Sequence, residues 1–234
     1  MAILAGGLAT RLRPATERVP KSLLEVNGEP FVLHQLRLLR SKGIRRVVLC
    51  VGHLGELVQH AIGNGSALGL QVDYSFDGPV LLGTAGAIRN ALPNLGDLFF
   101  VLYGDSYLPC DYAAIARNFA SAGVLGMMTV FRNEGKWDSS NVEFDNGQIL
   151  AYSKTSRTPR MHYIDYGLGV FRAAAFASLS AGEACDLTEL YTDLLERRQL
   201  GAFEVRQRFY EIGSPAGLRE TSEFLAARAV KQEP

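Results

Sequence analysis

Apolar positions along the chain follow two rhythms that alternate through the first half and then stop alternating. Ile3 to Ala5 form a short apolar run, and Leu23 to Val26 a second one closed by the turn dipeptide Asn27-Gly28. Val32, Leu36 and Leu39 then share one face of a helix that Pro30 opens in its first turn and Gly43 ends. Arg46 to Val51 is an almost unbroken apolar run, as a strand covered on both faces requires. Leu54, Leu57, Val58, Ala61 and Ile62 trace the next helix, stopped at Gly63, and Leu70, Val72 and Tyr74 alternate as a strand. Gly83 to Leu92 predicts a helix and Leu98 to Tyr103 another buried strand. Asp111 is placed to cap a helix running to about Ala122.

Strand and helix taking turns in this way specify an α/β fold. The expected form is a Rossmann-like three-layer α/β/α arrangement with a mostly parallel, mixed central sheet. Beyond residue 125 the rhythm changes. Met127 to Phe131, Asn141 to Phe144 and Ile149 to Ser153 read as strands, the last two joined by the hairpin turn Asp145-Asn146-Gly147. Tyr163 to Phe171 is a further strand. Leu187, Leu190, Leu194 and Leu195 mark a helix from Asp186 to Arg198, followed by a short strand at Ala202 to Val205. A last helix spans Pro215 to Ala229, and Lys231 to Pro234 is expected to fray. No repeat or linker divides the chain. The expectation is one domain, 1–234, with a parallel half (1–125) and a mixed half (126–234) that completes the sheet.

Composition narrows the possibilities. Hydrophobic residues make up 47% of the 234, so a sizeable core can form. Lys+Arg and Asp+Glu are both 24, a balance that advertises neither nucleic acid nor an anionic membrane. Cys50, Cys110 and Cys185 are widely separated, which argues against a disulfide scaffold and for a reducing compartment. No apolar run reaches membrane-spanning length and no secretory leader pattern is present, so cytoplasm is the expected location.

Cations are concentrated instead near the N-terminus. The first strand breaks at Gly6-Gly7 into a segment carrying Thr10, Arg11, Arg13 and Lys21. Paired glycines let backbone N–H groups approach a ligand closely, and nearby cations call for an anion, most often phosphate. The spacing matches neither the P-loop nor the dinucleotide fingerprint. In an open α/β sheet ligands gather at the carboxyl ends of strands. Polar or glycine-rich groups stand there at Gly52-His53, at Gly104-Asp105 and at Asp165-Tyr166-Gly167. Asp105 has two readings, a helix cap or a ligand for a divalent cation, and phosphate-binding groups on a neighbouring strand favour the metal.

Leu4-Ala-Gly-Gly-Leu-Ala-Thr-Arg-Leu-Arg-Pro14 with Pro20-Lys21 resembles the signature of sugar-nucleotide pyrophosphorylases, the sugar-1-phosphate nucleotidyltransferases. Gly83-Thr-Ala-Gly-Ala87, Tyr103-Gly-Asp105 and Tyr210-Glu-Ile-Gly-Ser-Pro215 are similar to three later motifs of the family, in the same order. The branch most resembled acts on heptose or mannose 1-phosphate with a guanine nucleotide. The resemblance implies a GT-A-like fold and transfer of a nucleotidyl group from an NTP to a sugar 1-phosphate, with release of pyrophosphate and dependence on Mg²⁺. The implied partners are those two substrates, with no nucleic acid or membrane, in a monomer or small homo-oligomer.

Roles carry over residue by residue. Leu4, Ala5, Gly6, Gly7, Thr10, Gly83, Thr84 and Gly86 would bind the nucleotide, and Arg11 its departing phosphates. Lys21 would neutralise the α-phosphate, while Asp105 and Glu211 would hold Mg²⁺. Lys154, Tyr166 and Gly167 would receive the sugar phosphate. Alternatives stay open at several positions. Arg157 or Arg160 competes with Lys154 as the anion ligand, and Arg13 is a phosphate contact or a solvated loop residue. Tyr103, Tyr163 and Tyr166 line a sugar pocket or pack the sheet. His53 and His34 read first as structural, and Trp137, the single tryptophan, is a lid or a partner contact. Three departures from the family pattern stand out. Ala9 replaces a glycine and is strained if that position needs a positive φ. Glu211 replaces an aspartate, and Ser153 replaces a glutamate common among relatives. Two competing functions remain: a cytidylyltransferase for a non-sugar phosphate such as phosphocholine, and a catalytically silent ligand sensor.

Overall fold

A computed structural model of the chain describes residues 1–12 and 14–230. Arg13 and the tail 231–234, two subjects of the expectations above, lie outside the described residues. The chain opens with β1 (Ala2–Leu4), and β2 (Glu25–Val26) and β3 (Glu29–Pro30) form a small hairpin. Then follow α1 (Phe31–Ser41), β4 (Arg46–Val51), α2 (Gly55–Ile62), β5 (Gln71–Phe76), α3 (Gly83–Ala91) and β6 (Leu98–Tyr103). After the two-residue β7 (Ser106–Tyr107) come α4 (Tyr112–Ala122), β8 (Gly126–Arg132) and the hairpin of β9 (Val142–Asp145) and β10 (Gln148–Tyr152). The last elements are β11 (Tyr163–Arg172), α5 (Leu187–Glu196), β12 (Leu200–Val205), β13 (Tyr210–Glu211) and α6 (Pro215–Val230).

Two expectations near the N-terminus change. Leu23 closes a 3₁₀ turn, Lys21–Leu23, so the strand there is shortened to Glu25–Val26. Pro30 is not in the first helical turn but precedes it, at φ −53° and ψ 133°. The cause is its pairing with Glu25 in the hairpin, which holds its backbone extended and delays the helix by one residue.

A nine-stranded sheet forms the centre. Across it the order β12-β8-β11-β6-β1-β4-β5 is parallel except at β11, which runs against both β6 and β8. The β9–β10 hairpin joins the N-terminal end of β11 through Val142 and Tyr163. Residues of the central strands alternate between two cores. Ile3, Val47, Leu49, Val51 and Leu102 meet α1, α2 and α4, whereas Ala2, Val48, Cys50 and Val101 meet α3 and α5. The parallel sheet with helices on both faces is thus present. A third cluster, with Val26, Phe31, Tyr107, Ile212 and Leu225, fastens α6 to the β2–β3 hairpin. It also aligns β13 with β7, pairing Glu211 with Ser106.

The long strand β11 has a bulge at its middle. Asp165 pairs with Val130, yet Gly169 pairs with Met128, so two extra residues are accommodated on β11. Gly167 absorbs the distortion at φ +92°. The Thr129 hydroxyl donates to the Leu168 carbonyl at 2.6 Å. No helix of the described residues is long and apolar enough to cross a membrane.

Candidate active site

Because β1, β4, β5 and β6 are parallel, their carboxyl ends open on one edge. Here neighbouring strands approach through bare backbone. The Gly104 N–H donates to Leu4 O at 2.9 Å, and Ala5 N–H to Cys50 O at 2.8 Å. A Cβ on Gly104 would stand 2.4 Å from Leu4 O, and one on Gly6 would stand 3.0 Å from Gly52 N. Glycine is therefore required at Gly104 for the strands to close up, and any larger residue would be tight at Gly6. The result is a cleft of about 240 Å³ that Leu4, Ala5, Gly6 and Gly7 share with Gly83 and Thr84. Gly86 does not line it. Its bare Cα lets α3 pack on the chain before α5, since a Cβ would meet Glu183 O at 2.5 Å.

Lys21 and Asp105 face each other at the floor of the cleft, 2.9 Å apart and three-quarters buried. The pair joins the loop after β1 to the end of β6, across 84 positions of sequence. Asp105 caps no helix; its second oxygen accepts from Ser106 Oγ at 3.2 Å. Glu211 lies alongside, because β13 pairs with β7 and Ile212 N–H donates to Asp105 O at 2.9 Å. Its carboxylate accepts from Ser214 Oγ at 2.8 Å and from Gly213 N–H. A Cβ on Gly213 would meet Glu211 Oε2 at 2.5 Å and Asp105 Oδ2 at 3.3 Å, so both carboxylates border one glycine. The two oxygen donors can share a hard cation with phosphate oxygens and water. Among the described residues no group of three or more His, Cys, Asp or Glu side chains forms a closed metal site.

A second cavity of about 280 Å³ shares Tyr103 and Asp105 with the first and continues to Arg11, Glu211, Trp137 and Gly167. Arg11 sits on a 3₁₀ turn, Thr10–Leu12, with Thr10 exposed beside it. Asp165 lines this cavity at the β11 bulge. Burial pushes its carboxyl up to about 6, against the pull of the Gly167 N–H at 3.0 Å. Lys154 lies at neither cavity wall; it pairs with Asp186 at 3.2 Å and stands 6.0 Å from the Tyr103 ring centre. Burial works to raise Asp186, but its hydrogen bonds from Thr188 and the nearby Lys154 cation hold it down at about 2. Thr84 donates to the same Asp186 at 3.0 Å and accepts from Leu187 N–H at 2.6 Å. Asp186 therefore ties the two halves of the chain together while capping α5.

Of the open alternatives, Tyr166 meets both: it lines the second cavity and packs in the core. Only 2% of it is exposed, and its ring meets Phe131 and Phe209 in the core. Tyr103 lines both cavities. Tyr163 stacks edge-on against Phe144. His34 is structural, its ring 2.8 Å from Val26 O, and His53 is exposed at the end of β4. Arg160 pairs with Glu143 at 3.1 Å. Sequence reasoning passed over Asp77, which lines the first cleft at the end of β5 and accepts from Leu82 N–H at 3.3 Å. Burial raises its carboxyl. The strand-end rule that singled out Asp105 applies equally to Asp77 and could have found it. Asp186 was legible only as the start of a helix.

A family profile described as nucleotidyl transferase matches residues 1–228. The mannose-1-phosphate guanylyltransferase catalytic subunit beta of Danio rerio is 29% identical over 219 residues, covering 91% of this chain and 61% of the relative. The chain thus spans about three-fifths of that relative's length. An N-acetylmuramate alpha-1-phosphate uridylyltransferase from Neisseria meningitidis serogroup B is 28% identical and matches 96% of this chain and 97% of its own. Among solved structures, HddC from Yersinia pseudotuberculosis, complexed with GMP-PN, aligns with a TM-score of 0.79 at 21% identity, over 96% of this chain and 98% of that one. The last likeness concerns the fold, a mixed, mostly parallel sheet between helices. With nearly its whole length matched and the family's motifs meeting at one strand edge, the chain belongs to the nucleotidyl transferase family.

Proposed function

We propose that this protein transfers a nucleotidyl group from an NTP to a sugar 1-phosphate, giving an NDP-sugar and pyrophosphate. One observation carries the proposal. The Lys21–Asp105 pair sits where the glycine-lined cleft meets the cavity holding Arg11 and Glu211, so an anion site and a carboxylate site adjoin. In such a reaction a phosphate oxygen of the sugar attacks the α-phosphorus in line. The new P–O bond forms as the bond to the bridging oxygen of the β-phosphate breaks, and pyrophosphate leaves with that electron pair. No covalent intermediate is needed, so positioning and charge stabilisation supply the rate. Backbone N–H groups at Gly6 and Gly7 cradle phosphate, Arg11 takes up charge on the departing pyrophosphate, and Lys21 faces the α-phosphate. Asp105 holds the Lys21 ammonium in place beforehand.

Asp105 and Glu211 fit Mg²⁺, which takes one or two carboxylates and completes its shell with phosphate oxygens and water. A bound cation there neutralises and orients the triphosphate. GTP with mannose 1-phosphate is the leading substrate pair, on the strength of the guanylyltransferase relatives, with heptose 1-phosphate added by the motif resemblance. Three free cysteines are in keeping with a reducing cytoplasm.

Pyrophosphate release tests the proposal. The protein is incubated with Mg²⁺, each of ATP, GTP, CTP, UTP and dTTP, and mannose, heptose or glucose 1-phosphate or phosphocholine. Release with a sugar 1-phosphate, highest with GTP, is the expected result. Silence from every pair overturns the proposal, and release from CTP with phosphocholine alone selects the non-sugar reaction instead.

A further inference from the structure

Trp137, the single tryptophan of the chain, stands 45% exposed on a loop that lines the second cavity. That loop is tightly held. Asn133, with no exposed surface, donates to Asp138 O at 2.6 Å and to Ser140 Oγ at 3.2 Å, and accepts from Trp137 N–H at 3.3 Å. Its own N–H donates to His162 O at 3.0 Å, anchoring the loop beside β11. The indole is fixed as well. The Arg208 guanidinium lies 3.4 Å from its ring centre and 4.9 Å from that of Tyr210, and it pairs with Glu220. Tyr210 in turn stacks on Phe224 at 3.9 Å. Trp137, Arg208, Tyr210 and Phe224 thus form one stack that ties the loop to α6 and to the strand carrying Glu211.

We propose that Trp137 is the wall on which the sugar ring of the substrate packs. The inference rests on the sugar 1-phosphate reaction above and adds the residue that recognises the ring. With its phosphate near Asp105 and Glu211, the sugar extends into the space bounded by Trp137, Asp138 and Asp165. A pyranose has an apolar C–H face and a rim of hydroxyls. A flat indole suits the first, and acceptor carboxylates suit the second. The aromatic face also attracts cations, which raises phosphocholine as a rival occupant. Arg208 counts against it. A guanidinium already stacked on the indole places a positive charge directly behind the ring, so a second cation is repelled while a neutral sugar is not.

Because the chain has one tryptophan, emission from Trp137 reads the site directly. The intact protein is titrated with GDP-mannose and with GDP, or with whichever NDP-sugar and NDP the pyrophosphate assay selects, and with CDP-choline. Quenching or a shift by the NDP-sugar, absent with the NDP and with CDP-choline, is expected. Trp137→Ala is expected to raise KM for the sugar 1-phosphate roughly tenfold, with KM for the NTP unchanged and most of the loss recovered in Trp137→Phe. Circular dichroism establishes that both variants are folded. Turnover accompanied by identical emission for NDP and NDP-sugar, or by an unchanged sugar KM in Trp137→Ala, overturns the proposal and leaves the reaction standing. A response to CDP-choline overturns the choice of a neutral ring. Absence of turnover with every pair overturns the reaction itself.

Discussion

The two cavities that meet at Asp105 differ in what they are made of. Around the first, strands touch through backbone, with Gly104 against Leu4 and Gly6 against Gly52, and Lys21, Asp105 and Asp77 bring the charge. Around the second, side chains do the organising: Asn133 shapes a loop, Arg208 clamps an indole, and the Gly167 N–H holds Asp165 at the β11 bulge. A site made of backbone accepts any nucleotide triphosphate tail and tolerates little change in its frame. A site made of side chains can be retuned one residue at a time. In the proposed reaction the triphosphate, common to all such substrates, and the sugar, which varies, would therefore be met by different kinds of structure.

Asp105 belongs to both cavities, so its loss has the largest expected effect. Asp105→Ala removes a proposed metal ligand and frees Lys21, and kcat/KM should fall by at least about 10³-fold with the fold retained. Near-normal turnover in that variant would take Asp105 out of the chemistry. On the backbone side, Gly104→Ala forces β1 and β6 apart, because the new Cβ would lie 2.4 Å from Leu4 O. A loss of about 3 kcal/mol is expected, seen as a fall in Tm of roughly 10 °C. Gly7→Ala is the control. No atom lies within 4 Å of a Cβ there, so Tm should hardly move. Equal effects of the two substitutions would erase the contrast between a closed strand edge and an open loop.

On the side-chain side, Asp165 gives a pH-dependent test. Burial raises its folded-state carboxyl to about 6, above the ordinary value of 3.8. Between those values the folded protein binds the extra proton. Stability is therefore eroded as pH rises from about 4 to 6, and the full cost remains above 6. Asp165→Asn keeps an acceptor for Gly167 N–H and removes that cost. Its Tm should exceed the parent's by about 5–10 °C at pH 7.5 and match it at pH 4. An equal difference at both pH values would show that packing, not ionisation, separates them.

What could be read in advance divides along the same line. The strands and helices of the first half, the Asp111 cap and the turn at Asn146-Gly147 follow from local chemistry, and all are present. The glycines of the first cavity were legible because strand ends that close on one another leave a sequence mark. The second cavity left almost none. The β11 bulge exists only in the register between Asp165–Val130 and Gly169–Met128, and the Trp137–Arg208 stack joins residues 71 apart in sequence. The motif resemblance points to Lys154 as a sugar-phosphate ligand, yet its partner Asp186, 32 residues away, follows from no local pattern.

Ala9 brings the backbone side down to a single dihedral. It stands where the family motif it resembles has glycine, and its φ is +49°, in the left-handed region. The loop therefore takes a left-handed turn at a residue that carries a Cβ, and it bears the strain. Two contacts hold it there: Leu12 N–H donates to Ala9 O at 3.1 Å, and Thr16 Oγ1 donates to the same oxygen at 2.9 Å. A left-handed residue with a Cβ costs roughly 1–2 kcal/mol, while glycine loses more entropy on folding, by about 0.5–1 kcal/mol. The difference favours Ala9→Gly by about 0.5–1 kcal/mol, or roughly 1–4 °C in Tm. Since Arg11 follows two residues later on the same pinned turn, its position should not change, and kcat should stay within about twofold of the parent. A gain in stability with unchanged turnover is what a strained but unaltered loop requires. A loss of stability would mean that the Cβ of Ala9 makes contacts worth more than the strain it costs.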